Sequence, residues 1–151
     1  MPAVERSQTE DFTGGVIIPQ PLMTINIPNS GHGILSGWKF YLLNSESEIV
    51  FQVWRRADDD KQWMLVGQSQ YVTLSAGFHH LRLQRSDAFK VQSGDVLGYR
   101  VYRSNNIPYD NDYSCEKRPT VYWRGTSAIK QGATITFQEK FDNQPCKLYS
   151  F

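Results

Sequence analysis

Short runs of alternating apolar and polar residues, cut by Gly, Pro, Asn and Asp, recur along this chain, and no stretch keeps a helical period beyond about two turns. Period-two alternation puts every second side chain on one face of a strand, so a chain patterned this way buries its apolar groups through sheets. Ile49-Val-Phe-Gln-Val-Trp54 is the strongest case. Ile49, Phe51 and Val53 fall on one face and Val50, Gln52 and Trp54 on the other, the pattern of a central strand covered on both sides.

Other strands follow from the same reading. Leu22–Ile27 alternates and stops at Pro28-Asn29-Ser30-Gly31; Ile34–Leu43 puts Trp38, Phe40 and Leu42 on one face and breaks at Asn44-Ser45. Asp58-Asp59-Asp60, neutralised by Arg55, Arg56 and Lys61, reads as a solvated hairpin turn into Trp63–Val66. Gly67 interrupts before Tyr71–Leu74, and Trp63, directly after the charged turn, is expected to be partly exposed. In Phe78–Leu83, His79 shares a face with Leu81 and Leu83 while His80 points the other way, so the two histidines do not ligate one ion together. Ser93-Gly94-Asp95 turns into Val96–Tyr102, where Gly98 suggests a bulge or a close backbone approach. Val121–Arg124, Ala133–Phe137 and Lys147–Phe151 complete about ten strands, and the last is expected to pair near the N-terminus. Trp38 and Trp54 are expected in the core. The fold class is all-β, an antiparallel β-sandwich and a jelly roll with about ten short strands; an up-and-down barrel is the main alternative.

Size and charge bound the function. At 151 residues the chain is one ordinary domain, with a polar leader over residues 1–13 and a sandwich over 14–151. Sixteen Lys+Arg against fifteen Asp+Glu leave a formal net charge of +1, too little to bind phosphate backbones, so no nucleic acid is expected as a partner. No apolar run approaches the roughly 18 residues of a membrane span. Cys115 and Cys146 sit in neither a CxxC nor a Cys/His metal pattern; a single disulfide is favoured over two free thiols. The opening MPAVERSQTEDFTGG has no apolar h-region and no Asn-x-Ser/Thr sequon occurs, which leaves a mature secreted chain or a cytosolic one.

Gly37-Trp38-x-Phe40-Tyr41, Val50-Phe51-Gln52-Val53-Trp54-Arg55, Leu65-Val66-Gly67 and Val91-Gln92-Ser93-Gly94-Asp95-Val96-Leu97-Gly98 together resemble an extracellular jelly-roll β-sandwich module of invertebrate secreted and bacterial surface proteins. The resemblance covers about residues 15–151 and includes the ending Cys146-x-x-Tyr-Ser-Phe. More loosely the chain is similar to galactose-binding-like and other lectin jelly rolls, and to the C1q and tumour-necrosis-factor group, where a Gly-Asp turn also precedes a late strand. The resemblance implies an extracellular binding or adhesion module and supplies no site residues.

Candidate chemistry therefore rests on local composition. Ser104–Thr120 is the longest segment without a β pattern, a length at which loops are often functional. Asn105, Asn106, Tyr109, Asp110, Asn111, Asp112 and Tyr113, with Trp123 and Arg124 beyond, supply the amides, carboxylates and aromatic faces that orient sugar hydroxyls and pack on a pyranose ring. Asp110-x-Asp112-x-Ser114 also spaces two carboxylates and a hydroxyl for calcium, without the glycine or distal glutamate of an EF-hand loop. No G-x-S-x-G elbow, Cys/His signature or HExxH is present. The expectation is a non-enzymatic, lectin-like module that binds a glycan or glycoprotein in adhesion or defence, with calcium as the one candidate cofactor. The alternative is a structural or interaction domain that forms homo-oligomers through its sheet faces, and a polysaccharide-active enzyme ranks third. An aromatic residue in a polar depression favours the lectin, a continuous apolar patch favours assembly, and a close carboxylate pair favours the enzyme.

Overall fold

A computed structural model describes residues 8–9, 15–18, 24–27, 31–59, 61–101, 108–112, 120–125, 128–140 and 146–149. The strands in chain order are β1 (Gln8–Thr9), β2 (Gly15–Ile18), β3 (His32–Leu35), β4 (Gly37–Leu42), β5 (Glu46–Arg56), β6 (Gln62–Leu74) and β7 (Gly77–Arg82). They continue as β8 (Phe89–Gln92), β9 (Val96–Val101), β10 (Pro108–Asp112), β11 (Thr120–Arg124), β12 (Thr134–Thr136), β13 (Gln138–Lys140) and β14 (Cys146–Tyr149). All recorded pairings are antiparallel, and the described residues contain no helix, so the chain is an all-β sandwich.

The main sheet has seven strands in the order β12-β6-β5-β9-β2-β11-β13. Only β5 and β6 are hairpin neighbours within it; β9 and β2 are inserted by crossovers, which removes a simple up-and-down order. Residues 49–54 of β5 are all buried between β6 and β9, as two apolar faces require. One face packs on a two-stranded ribbon, β3–β4 against β8 and β7, kinked at Ser36. Trp38, Phe40 and Leu42 of the ribbon meet Phe51, Val53 and Tyr99 of the sheet, with Trp38 and Phe40 each ring-on-ring with Phe51.

The opposite face builds a second core from Val16, Ile18, Trp54, Trp63, Leu65, Val96, Val121 and Phe137. β12 pairs with β6 on one edge, while β13, one residue further on, pairs with β11 on the other. The segment Thr134–Lys140 thus bridges the two edges, and the sheet curls around this core. Phe137, at the crossover, is 1% exposed, donates its N–H to the Lys61 carbonyl at 2.7 Å and meets Trp54 edge-on at 5.0 Å. Closing a sheet in this way leaves fewer open edges to pair with other chains.

The structure departs from sequence expectation at several points. Trp63 is not partly exposed but 2% exposed in the second core. The pairing of β5 and β6 slips between Val53 and Trp54, so Val66 is the extra residue that lets Trp63 and Leu65 share the face of Trp54. No bulge forms at Gly98, which sits in regular register opposite Gln52. Gly67 does not interrupt a strand either: β6 runs through it, and the Phe89 ring lies so close that a Cβ there would collide with it. Among the described residues, 24–27 make one ladder contact, Thr24 with Val96, and dock on the 93–95 turn through Ser93 Oγ and the Asp95 carbonyl. That turn is built as expected, with Gly94 at a φ of 95°. β14 pairs with β10, and β1 pairs with the other side of β10, so the C-terminal strand shares a sheet with the N-terminal one without touching it in the ladder.

Candidate functional site

The expected 104–120 loop contains a strand. Tyr109–Asp112 lie in β10, at the centre of the three-stranded sheet β1-β10-β14, with Asp110 opposite Leu148 and Asp112 opposite Cys146. Asn105, Asn106, Tyr113 and Cys115 lie outside the described residues. Trp123 and Arg124 belong to β11 in the main sheet, so the strand pairing does not join them to β10. Trp123 is half-buried against the second core, with the Arg100 guanidinium 5.7 Å from its ring and Gly125 beneath it. Its neighbour Arg124 is exposed over Tyr122 at 5.6 Å. Trp38, Trp54 and Trp63 are buried, so none of the four tryptophans offers an open platform.

A polar depression forms elsewhere. Strands β3 and β4 are separated by Ser36 alone, whereas their partners β8 and β7 are separated by Leu83–Ala88; Leu83 still donates its N–H to the Ser36 carbonyl at 2.7 Å, so Gln84–Ala88 are forced out of the ribbon. The excursion is tightened by Asp87 and Ala88 N–H groups donating to the Gln84 carbonyl at 2.9 and 3.0 Å. It faces the part of β6 that β12 does not cover: β12 pairs with Gln62–Met64, and beyond Leu65 the described ladder partner of β6 is β5 alone. Between this free edge and the excursion lies a trough of about 450 Å³ lined by Gln68, Ser69, Gln70, Tyr71, Arg82, Leu83, Gln84 and Asp87. A second depression of about 480 Å³ shares Gln68 and Asp87 and extends it past Phe89 and Lys90 to Gln131.

The lining is held from behind. Gln52, fully buried, donates to Gln68 Oε1 at 3.1 Å and accepts from Trp54 Nε1 at 3.1 Å, while Gln68 Nε2 donates to the Ile129 carbonyl at 2.9 Å. Ser69 Oγ accepts from Trp38 Nε1 at 3.0 Å, and Gln70 Nε2 donates to Glu48. Bonds to the buried Gln52 and Trp38 side chains fix Gln68 and Ser69 along the wall of the trough. Tyr71 differs. Its ring packs near Phe40 and Phe51, but its hydroxyl is shut from solvent with no hydrogen-bond partner among the described residues. Burial first, and the charge of Asp87 second, hold its phenol above the ordinary value. Such a group costs roughly 1 to 3 kcal/mol, and a polar group brought in from the trough would satisfy it.

The histidines behave as their alternation requires. His79 is half-buried, stacked on Phe40 at 5.1 Å and bonded to the Ser75 carbonyl, while His80 is exposed. His32 is also exposed. Among the described residues no group of three His, Cys, Asp or Glu side chains is placed to hold a metal, and no helix is long and apolar enough to cross a membrane. No protein-family model, curated protein or solved structure matches the chain. The trough went unseen in the sequence because it joins residues 68–71 to 82–87 by tertiary contact, and glutamines carry no motif.

Proposed function

We propose that this chain is a non-enzymatic recognition module that binds carbohydrate in the trough along the free edge of β6. The observation that carries the reading is the convergence of three glutamine amides, Arg82, Asp87 and Tyr71 in one depression. Sugar hydroxyls donate and accept at once, and an amide side chain matches them with both an oxygen and two N–H groups. Arg82 adds donors, Asp87 an acceptor and Tyr71 an aromatic edge, and the uncovered strand adds backbone groups. Asp87 is the single carboxylate of the lining, whereas glycoside hydrolysis uses two about 5 to 9 Å apart, so the trough suits binding rather than cleavage.

An extracellular setting and a Cys115–Cys146 disulfide go with this reading. Cys146 pairs in register with Asp112, and Cys115 follows Asp112 by three positions, within chain reach of a bridge. The test is a glycan array with the purified domain, run with calcium and with EDTA. Selective binding indifferent to EDTA is expected, because the lining reads hydroxyls directly. Silence on a broad array would reject carbohydrate and favour the interaction-domain reading, for which exposed Ile34, Val72 and Phe78 are the observation.

A further inference from the structure

A third depression, which shares only Arg82 and Leu83 with the trough, has the opposite character. It measures about 750 Å³, within the usual range for small-molecule sites, and opens where residues 25–27 and the ribbon meet the sheet. Its walls are Ile25, Ile27, Leu35, Trp38, Val91 and Leu97, and Ile34, 66% exposed, stands at its mouth. The polar side chains at the rim are of one kind: Lys39, His80 and Arg82 line it together with Ser36, and no carboxylate does. Lys39 pairs across the ribbon with His80, and Arg82 follows two residues along the same face, so basic groups are gathered on one patch. Neither Lys39 nor Arg82 has an ion-pair partner among the described residues.

Like charges set side by side on a sheet repel, and an apolar groove left open holds water unfavourably. One ligand chemistry relieves both. We propose that this groove binds a free single-chain amphiphile with an anionic headgroup, a fatty-acid-type carboxylate. Its acyl chain lies between Ile27, Leu35 and Val91, and its carboxylate meets Lys39 and Arg82. The monomeric amphiphile is the occupant, rather than a membrane surface or a second copy of the chain.

Calorimetric titration with dodecanoate below its micelle concentration tests this, with dodecyltrimethylammonium as the charge-reversed control. Saturable one-to-one binding of dodecanoate is expected, at least tenfold tighter than the control. Ile34→Glu, at an exposed position, should keep the melting temperature and weaken dodecanoate at least tenfold, and Lys39→Glu should abolish the preference between headgroups. Equal affinity for the two headgroups, or dodecanoate binding unaffected by Ile34→Glu, would overturn the proposal. So would attachment to phosphatidylglycerol vesicles without binding of monomeric dodecanoate, or a concentration-dependent dimer lost in Ile34→Glu with no dodecanoate bound. Because no sugar enters the titration, its failure leaves the trough untouched.

Discussion

Arg55 and Asp95, forty positions apart, form a two-pronged ion pair: Nε donates to Oδ1 at 2.8 Å and Nη2 to Oδ2 at 3.0 Å, with the carboxylate 1% exposed. Asp95 Oδ2 also accepts the Gln92 N–H at 2.9 Å, so one carboxylate ties the turn before β9 to the end of β5. The hydrogen bond to Asp95 outweighs partial burial and, with the charge of Asp95, holds the Arg55 guanidinium above its ordinary value. Removing one member of a buried pair strands the other. Arg55→Met should therefore cost roughly 2 to 4 kcal/mol in urea unfolding. Asp95→Ala should cost at least as much, because it also orphans the Gln92 amide. A loss below about 1 kcal/mol in both would show that the pair holds nothing in place.

Thr73, near the end of β6, has a φ of 53°. A β-branched residue is strained there, while glycine is not. Thr73→Gly should raise stability by about 1 kcal/mol, the strain relieved exceeding the added freedom of the unfolded chain. A lower unfolding midpoint would mean that the threonine makes contacts worth more than its backbone costs.

Tyr71 sets a pH dependence. Its phenol is raised in the folded state, so folding favours the protonated form; that contribution is complete below the unfolded value of about 10 and is lost as pH rises through the higher folded value. Thermal unfolding followed from about pH 8 upward should show stability falling above pH ~10, with a shallower fall in Tyr71→Phe. Identical slopes in the two proteins would remove Tyr71 as the source.

Gly67 keeps Phe89 seated beside the trough. Gly67→Ala should push the ring out of place, lowering stability by roughly 1 to 3 kcal/mol, the usual cost of overpacking. It should also weaken any ligand held along β6. A variant as stable as the parent would mean that the ring moves aside freely.

Legibility in the sequence followed the strength of local patterns. β5 is legible because both its faces are apolar, and the Ser93–Asp95 turn because its central glycine suits the positive φ that Gly94 adopts. The burial of Trp63 is not legible because the charged turn beside it is a local feature, while the slip opposite Trp54 that buries it depends on strand pairing. β10 was hidden for a related reason. Pro-Tyr-Asp-Asn-Asp has weak strand propensity, and the ladder bonds of β1 and β14 on its two sides override it. The trough depends on unequal spacing, one residue between β3 and β4 against six between β7 and β8, which becomes meaningful only once those strands are paired.

Chemical-shift mapping of the isotope-labelled protein against a panel of free hexoses, hexosamines and acidic sugars tests carbohydrate recognition at the β6 edge most directly. The side-chain amide signals of Gln68, Gln70 and Gln84 should move saturably with at least one sugar class, while the Trp54 indole N–H, bonded to Gln52 in the core, stays within a fraction of their shift. Shifts confined to Tyr109–Asp112, or no saturable shift at any residue, would contradict the assignment of the trough as the binding site.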